Sequence, residues 1–221
     1  MEKLLKLIHT IIDLIFPHTC VGCQKSGQLL CGDCENLLIM TPTVVSDHVT
    51  ALFPYHHKVI KNLLWQLKYK QSGEVSNILA PYLADLLLET SSDESALNIK
   101  SEPTILIPAP MSRLRKRARG FNQATKLAQA LAKLHPDSFV VNENIVRKIK
   151  ETKPQVTCRT RAERLSNVKN AFEAYLPNEL CHRQFVVIDD VSTTGATLNE
   201  IIKALRKTAA EKISAAVIAH G

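Results

Sequence analysis

Asp189 and Asp190 stand side by side in the chain, and Ser192, Thr193, Thr194, Gly195 and Thr197 crowd in directly behind them. The stretch opens on Phe185-Val-Val-Ile188, a short β-branched run with the composition of a strand buried on both faces. It closes on Leu198, Ile201, Ile202 and Leu205, the spacing of an amphipathic helix. A strand, a hydroxyl-rich turn and a helix N-terminus in that order make an anion site. The unpaired N–H groups of the first helical turn converge there, and the helix dipole favours negative charge. Gly195 lets the backbone approach a ligand closely, and the hydroxyls add donors. Two acids beside such a cradle fit a ligand that carries hydroxyls as well as phosphate, because a carboxylate accepts hydrogen bonds from a sugar diol. The chemistry implied is recognition of a sugar phosphate. A lone Asp-x-x-Thr would be read as a helix cap, but here the apolar run, the paired acids and Thr-Thr-Gly-Ala-Thr occur together and in order.

A second group is Cys20-x2-Cys23-x7-Cys31-x2-Cys34. Two such knuckles can present four thiolates tetrahedrally, which suits a structural zinc and leaves no open coordination position for substrate. Gly22 and Gly32 inside the knuckles and Gly27 between them are expected to serve the tight backbone reversals. Buried thiols or a redox pair are the competing readings. The doubled spacing, in a chain without a secretion signal, favours zinc. Cys158 and Cys181 are isolated and are expected to bind no metal.

The third group is cationic. The net charge is +7, but residues 100–169 hold 16 Lys and Arg against 5 Asp and Glu, whereas the rest of the chain holds 12 against 16. The density peaks at Arg113, Arg115, Lys116, Arg117 and Arg119. A polyanion is the natural partner for such a segment. It could be a pyrophosphate or polyphosphate group, single-stranded nucleic acid stacking on neighbours such as Phe121, or solvent alone. Mutual repulsion predicts a loop that is poorly ordered until an anion closes it.

The surrounding elements must position these groups. Residues 3–16 place Leu4, Leu5, Ile8, Ile11, Ile12 and Ile15 on one helical face, suited to packing on the body of the protein or on a partner. Lys6, His9, Asp13 and Pro17-His18-Thr19 argue against a lipoprotein signal. Strands are expected at 44–53, 104–107, 144–150, 171–175 and 213–219, besides the central one. Helices are expected at 57–69, 75–89, 124–131 and around 163–167. Residues 90–103 and 150–159 read as polar loops, and Trp65, on an apolar helix, as core. Alternating strands and helices predict an α/β fold with a parallel sheet. The chain divides into a metal-binding module over 1–42 and a domain over 43–221. No stretch approaches the length of a membrane span, and a cytoplasmic location is expected.

In this order the motifs resemble those of the ComF family, phosphoribosyltransferase-like proteins associated with DNA uptake in competent bacteria. The resemblance spans essentially the whole chain. It runs from the double Cys-x2-Cys through Phe53-Pro-Tyr55, Leu67-Lys68-Tyr69, Pro108-Ala-Pro110 and Arg119-Gly-Phe-Asn-Gln123. It continues through Thr152 and Gln155, Glu163-Arg164, Asn167-Val168 and Ala171-Phe172 to Ile188–Thr197. Ser192, Cys158 and Ala209-Ala210-Glu211 depart from the family's pattern without touching the glycine and threonines of the turn. The resemblance implies a type I phosphoribosyltransferase-like parallel sheet flanked by helices, with a small N-terminal zinc ribbon module. It implies that phosphoribosyl pyrophosphate (PRPP) binds with magnesium at Asp189, Asp190, Ser192, Thr193, Thr194, Gly195, Ala196 and Thr197. Asp189 and Asp190 would hold the ribose hydroxyls beside the reacting carbon, as the catalytic pair, and Arg113, Arg115, Arg117 and Arg119 would neutralise the pyrophosphate that a nitrogenous acceptor displaces. Zinc at Cys20, Cys23, Cys31 and Cys34 would be structural. Single-stranded DNA, a competence protein and a second copy of the chain are the further partners it suggests, and a non-catalytic scaffold is the competing role.

Overall fold

Apolar runs too short for helices become strands, and the amphipathic stretches between them become helices. The computed structural model describes residues 19–70, 73–92, 102–152, 157–158 and 160–221. The amphipathic segment at 3–16, most of the polar stretch at 90–103, Gln155 and Arg159 lie outside the described residues. In chain order the elements are α1 (Gly32–Glu35), β1 (Thr43–Ser46), β2 (Val49–Pro54), α2 (Lys58–Tyr69), α3 (Gly73–Ser92), β3 (Thr104–Pro108), α4 (Arg113–Arg119), α5 (Gln123–Leu134), β4 (Phe139–Val141), β5 (Val146–Lys148), α6 (Arg161–Val168), β6 (Phe172–Ala174), β7 (Gln184–Ser192), α7 (Ala196–Leu205) and β8 (Lys212–His220).

Six strands form one sheet in the order β1-β2-β8-β7-β3-β4, with every pair parallel except β1 with β2. The interior strands β3 and β7 are buried over Thr104–Pro108 and Phe185–Ile188, as strands covered on both faces demand. Successive side chains of β7 face opposite ways. Val186 and Ile188 join the cluster formed with α2, α3 and α5, while Phe185 and Val187 join the one formed with α7 and the small β5–β6 sheet. The helices bury the expected stripes: Ile60, Leu63, Leu64 and Leu67 on α2, Ala124, Leu127, Ala128 and Leu131 on α5, and Leu198, Ile201, Ile202 and Leu205 on α7.

The path of the chain fixes where a ligand can enter. From β3 it moves outward through α4 and α5 to β4, and from β7 it moves the other way through α7 to β8. The two crossovers part between β3 and β7, which opens a crevice at the carboxyl ends of those strands. Both the basic segment and the hydroxyl-rich turn begin at that edge.

Four expectations need correction. The stretch 44–53 is not one strand but a hairpin, β1 and β2, turning at Asp47-His48; β1 is exposed at Thr43 and Val44, as an edge strand can be. Residues 113–119 are not a disordered loop but helix α4. Ser112 Oγ accepts the Arg115 N–H at its start, and Gly120, at φ +83°, closes its end. Arg and Lys are good helix formers, and like charges that face water repel weakly, so two caps are enough to order the segment. Trp65 is not core: it is 53% exposed, because it sits off the stripe that α2 buries. The acids do not follow the strand but lie within it, since pairing with β8 continues through Asp189↔Val217 to Ser192↔His220.

Candidate functional site

At the end of β7 the chain turns tightly before α7. Ser192 is buried, and its Oγ accepts the Gly195 N–H at 3.1 Å; Thr194 Oγ1 accepts the Ala196 N–H at 3.4 Å. Gly195 takes φ +71°, a left-handed conformation that glycine adopts without strain. A Cβ there would come within 3.2 Å of Asn199 Nδ2 and 3.5 Å of Ser46 Oγ. Ser46 in turn donates to Asn199 Oδ1 at 2.9 Å, so the β1–β2 hairpin braces the turn from outside. The Ser192 carbonyl accepts the Gly221 N–H at 3.2 Å and lies 3.1 Å from His220 Nδ1. The Ser192 hydroxyl is thus engaged within the turn. Thr193, Thr194 and Thr197 are partly exposed at the mouth of the helix, beside buried Gly195 and Ala196.

The two carboxylates do different work. Asp190 is 4% exposed; its Oδ1 accepts the Val191 N–H at 2.9 Å, and its Oδ2 lies 3.0 Å from the Lys68 ammonium of α2. That oxygen is buried and accepts no well-aligned hydrogen bond, so the lysine meets it as a counter-charge. Asp189 is half-buried, and its Oδ1 accepts the Asp190 N–H at 2.9 Å. Burial and the neighbouring Asp190 charge hold the Asp189 carboxyl well above the usual carboxylate range, with Lys68 opposing. Lys148 on β5 feels Asp189 across the site. Burial and the Arg115 charge bring Lys148 down to about 8, against the pull of Glu151 and Asp189.

The four arginines named from the sequence do not form one cluster. Arg115 and Arg119 share the inner face of α4, and Arg113 and Arg117 point outward and are exposed. Arg115 Nη2 donates to the Thr152 carbonyl at 3.3 Å, and Lys148 Nζ donates to the hydroxyl of the same threonine at 2.6 Å. Arg119 donates to Gln123 Oε1 at 2.7 Å and lies 5.6 Å from the centre of the Tyr69 ring. The loop between β3 and α4 is tied to the site strand, with the Ala109 N–H donating to the Ile188 carbonyl at 2.8 Å.

Lys68 and Lys148 were not singled out from the sequence. A signal for Lys68 was there: it occupies the next i+4 position of the buried stripe Ile60, Leu64, a place where a lysine needs a partner. Lys148 carried none, since the charges that act on it from afar, Arg115 on α4 and Asp189 on β7, reach it only by tertiary folding.

At the other end of α2 the four cysteine sulfurs lie within 4.8 Å of one another. Zinc with Zn–S bonds of about 2.3 Å spaces tetrahedral sulfurs about 3.8 Å apart. Cys31 Sγ is 3.6 Å from that of Cys20 and 3.5 Å from that of Cys23, so the set fits a structural metal such as zinc. Burial alone would raise the Cys20 thiol, but N–H groups of Cys23, Cys31 and Gly22 aimed at its sulfur bring it down to about 6. Preformed N–H donors of this kind prepare a sulfur to bind as thiolate. A Cβ on Gly22 would lie 2.6 Å from Cys34 Sγ, and Gly27 takes φ +124°. Gly32, by contrast, opens α1 with nothing near it, so no close contact requires glycine there. Cys158 and Cys181 are buried elsewhere and join no metal-binding group among the described residues.

The phosphoribosyl transferase domain model matches residues 118–221. Competence protein F of Haemophilus influenzae is 33% identical over 199 residues, 90% of this chain and 82% of that protein. Competence protein ComFC of Bacillus subtilis is 28% identical over 210 residues, 90% of this chain and 75% of that one. DNA utilization protein YhgH of Escherichia coli is 31% identical over 172 residues, 76% of this chain and 67% of that one.

Proposed function

The chain belongs to the competence protein F (ComF) family, and we propose that it binds PRPP as a phosphoribosyltransferase acting in DNA uptake. The observation that carries this reading is the Ser192–Thr197 turn, a left-handed glycine and partly exposed threonines opening a helix beside two carboxylates. The 5′-phosphate would lie on the N–H groups of the first turn of α7. Asp189 and Asp190 would accept from the ribose hydroxyls, and Arg115 and Arg119, on the inner face of α4, would neutralise the pyrophosphate. Magnesium, held mainly by ligand oxygens and water, would offset charge on the pyrophosphate. In the transfer the bond from C1′ to pyrophosphate oxygen breaks, that oxygen keeps the electron pair, and a nitrogen of the acceptor bonds to C1′. The chain's part is to orient the ribose and stabilise the separating charges. Zinc on Cys20, Cys23, Cys31 and Cys34 would be structural, in a module over residues 1–42 attached to a catalytic domain over 43–221. The cytoplasm, where PRPP is made, is the compartment we assign. Calorimetry with magnesium and PRPP tests the site: Gly195→Val should abolish binding, and Asp190→Asn should weaken it. Wild-type affinity in both variants would overturn the reading.

A second reading has its own support. Trp65 and Tyr69 are 53% and 62% exposed, their ring centres 5.5 Å apart, with Arg119 against the tyrosine. Exposed rings beside cations suit single-stranded DNA, in keeping with the competence and DNA-utilization names of the relatives. The chain would then also serve as a scaffold that handles DNA, alone or with a competence protein or a second copy of itself.

A further inference from the structure

Helix α2 lies outside the residues that match the phosphoribosyl transferase domain, yet its last turn delivers a cation into the site. Lys68 Nζ stands 3.0 Å from Asp190 Oδ2. The pair is lopsided: the aspartate side chain is 6% exposed and the lysine 24%, so of the two it is the lysine that stays accessible to a ligand. Oδ1 of Asp190 is committed to the Val191 N–H, so a ligand hydroxyl seeking this carboxylate must come to Oδ2, where Lys68 already sits.

We propose that Lys68 is a ligand-contacting residue: it neutralises Asp190 while the site is empty and turns to an oxygen of the pyrophosphate when the ribose hydroxyls take over Asp190. The proposal rests on the phosphoribosyl reading above. An ammonium carries three donors, so it can keep one bond toward Asp190 and offer the others to the ligand. The ligand requires such a cation, because two carboxylates beside its ribose would otherwise repel its phosphates. The neighbouring residue extends the same cationic edge, since Tyr69 carries Arg119 against its ring. Burial disfavours the Lys68 ammonium, but Asp190 more than compensates, so the group stays charged at neutral pH.

Calorimetry on the full, zinc-loaded chain with magnesium distinguishes the possibilities, using PRPP and ribose 5-phosphate, which lacks the pyrophosphate. Lys68→Gln should weaken PRPP by about tenfold or more, the size of a charge-assisted hydrogen bond, and ribose 5-phosphate by much less. Lys68→Arg should restore most of the PRPP affinity. Should the glutamine variant fail to fold, Lys68→Met keeps the aliphatic stem in the buried stripe and is read in the same way. Equal loss for both ligands would make Lys68 a purely structural partner of Asp190 and overturn the proposal, as would unchanged PRPP affinity. Wild-type protein that binds neither ligand would overturn the phosphoribosyl reading itself, and this proposal with it.

Discussion

Asp189 is a carboxyl group held where a carboxylate is uncomfortable, and the sign of its effect on stability follows. Burial and the Asp190 charge raise its folded pKa well above 3.8. Between the unfolded and folded values the native state therefore binds more protons than the unfolded one, and stability falls as pH rises through that window. Above it the loss is complete. Asp189→Asn keeps an oxygen to accept the Asp190 N–H and removes the charge. It should therefore raise the melting temperature at neutral pH, by roughly 2–4 °C for each kcal/mol regained, and the gain should vanish below pH 3.8. A melting curve for the variant that runs parallel to wild type from pH 3 to 8 would refute this. Cost to ligand binding is expected, since functional sites keep groups that stability would discard. At this scale the sequence was most legible where chemistry is local: Gly195 takes the left-handed conformation its turn needs and the four cysteines converge as their spacing predicts, whereas the acids lie within β7 rather than at its end. Lys68 was quoted in a motif without a role, because its partner lies 122 positions away and only the packing of α2 against β7 brings them together.

Helix α2 ties the two sites of the molecule together. Near its start Val59 lies against Gly22 and shares a buried cluster with Cys20, Cys31 and Cys34, and Asn62 Nδ2 donates to the Val21 carbonyl at 2.8 Å. Its last turn carries Lys68 to Asp190. Asn62 and Lys68 are six positions apart on the helix, about 9 Å along a stiff rod. Purified protein should contain about one zinc per chain, lowered by Cys20→Ser or Cys34→Ser and untouched by Cys158→Ser or Cys181→Ser. Stripping the zinc and then restoring magnesium should weaken PRPP several-fold, within the 1–3 kcal/mol typical of linked sites, although no cysteine reaches the ligand. Metal-free protein of unchanged PRPP affinity would show that the helix transmits nothing. Elements were legible where one face is apolar, as in α2, α5 and α7. They were misread where capping or edge exposure decides: α4 buries no residue and owes its form to Ser112 and Gly120, and β1 exposes its first two residues.

Sheet order belongs to the whole molecule and was not legible at all, since neither periodicity nor composition says that β7 lies between β3 and β8. Charge, by contrast, was legible as a total but not as a distribution. The excess over residues 100–169 divides on α4, with Arg115 and Arg119 turned to the site and Arg113 and Arg117 to solvent. A single basic loop serving two anions is thus replaced by two faces of one helix, which predicts separable binding. The rings of Trp65 and Tyr69, 5.5 Å apart and inclined at 44°, leave no room for a base between them, as a base sandwiched between parallel rings needs about 7 Å, so bases must stack on their outer faces. Trp65→Ala should weaken single-stranded DNA by about 1–3 kcal/mol, the loss of one stacked base, and leave PRPP untouched. Arg113→Ala with Arg117→Ala should instead flatten the salt dependence of DNA binding, by a slope of about 0.7 for each phosphate contact removed. Fluorescence anisotropy with a labelled single strand, repeated across ionic strength, reads both effects. Loss of PRPP binding in the aromatic variant would mean that the two ligands share one surface after all, and wild-type protein that binds no single strand at low salt would remove DNA from the account.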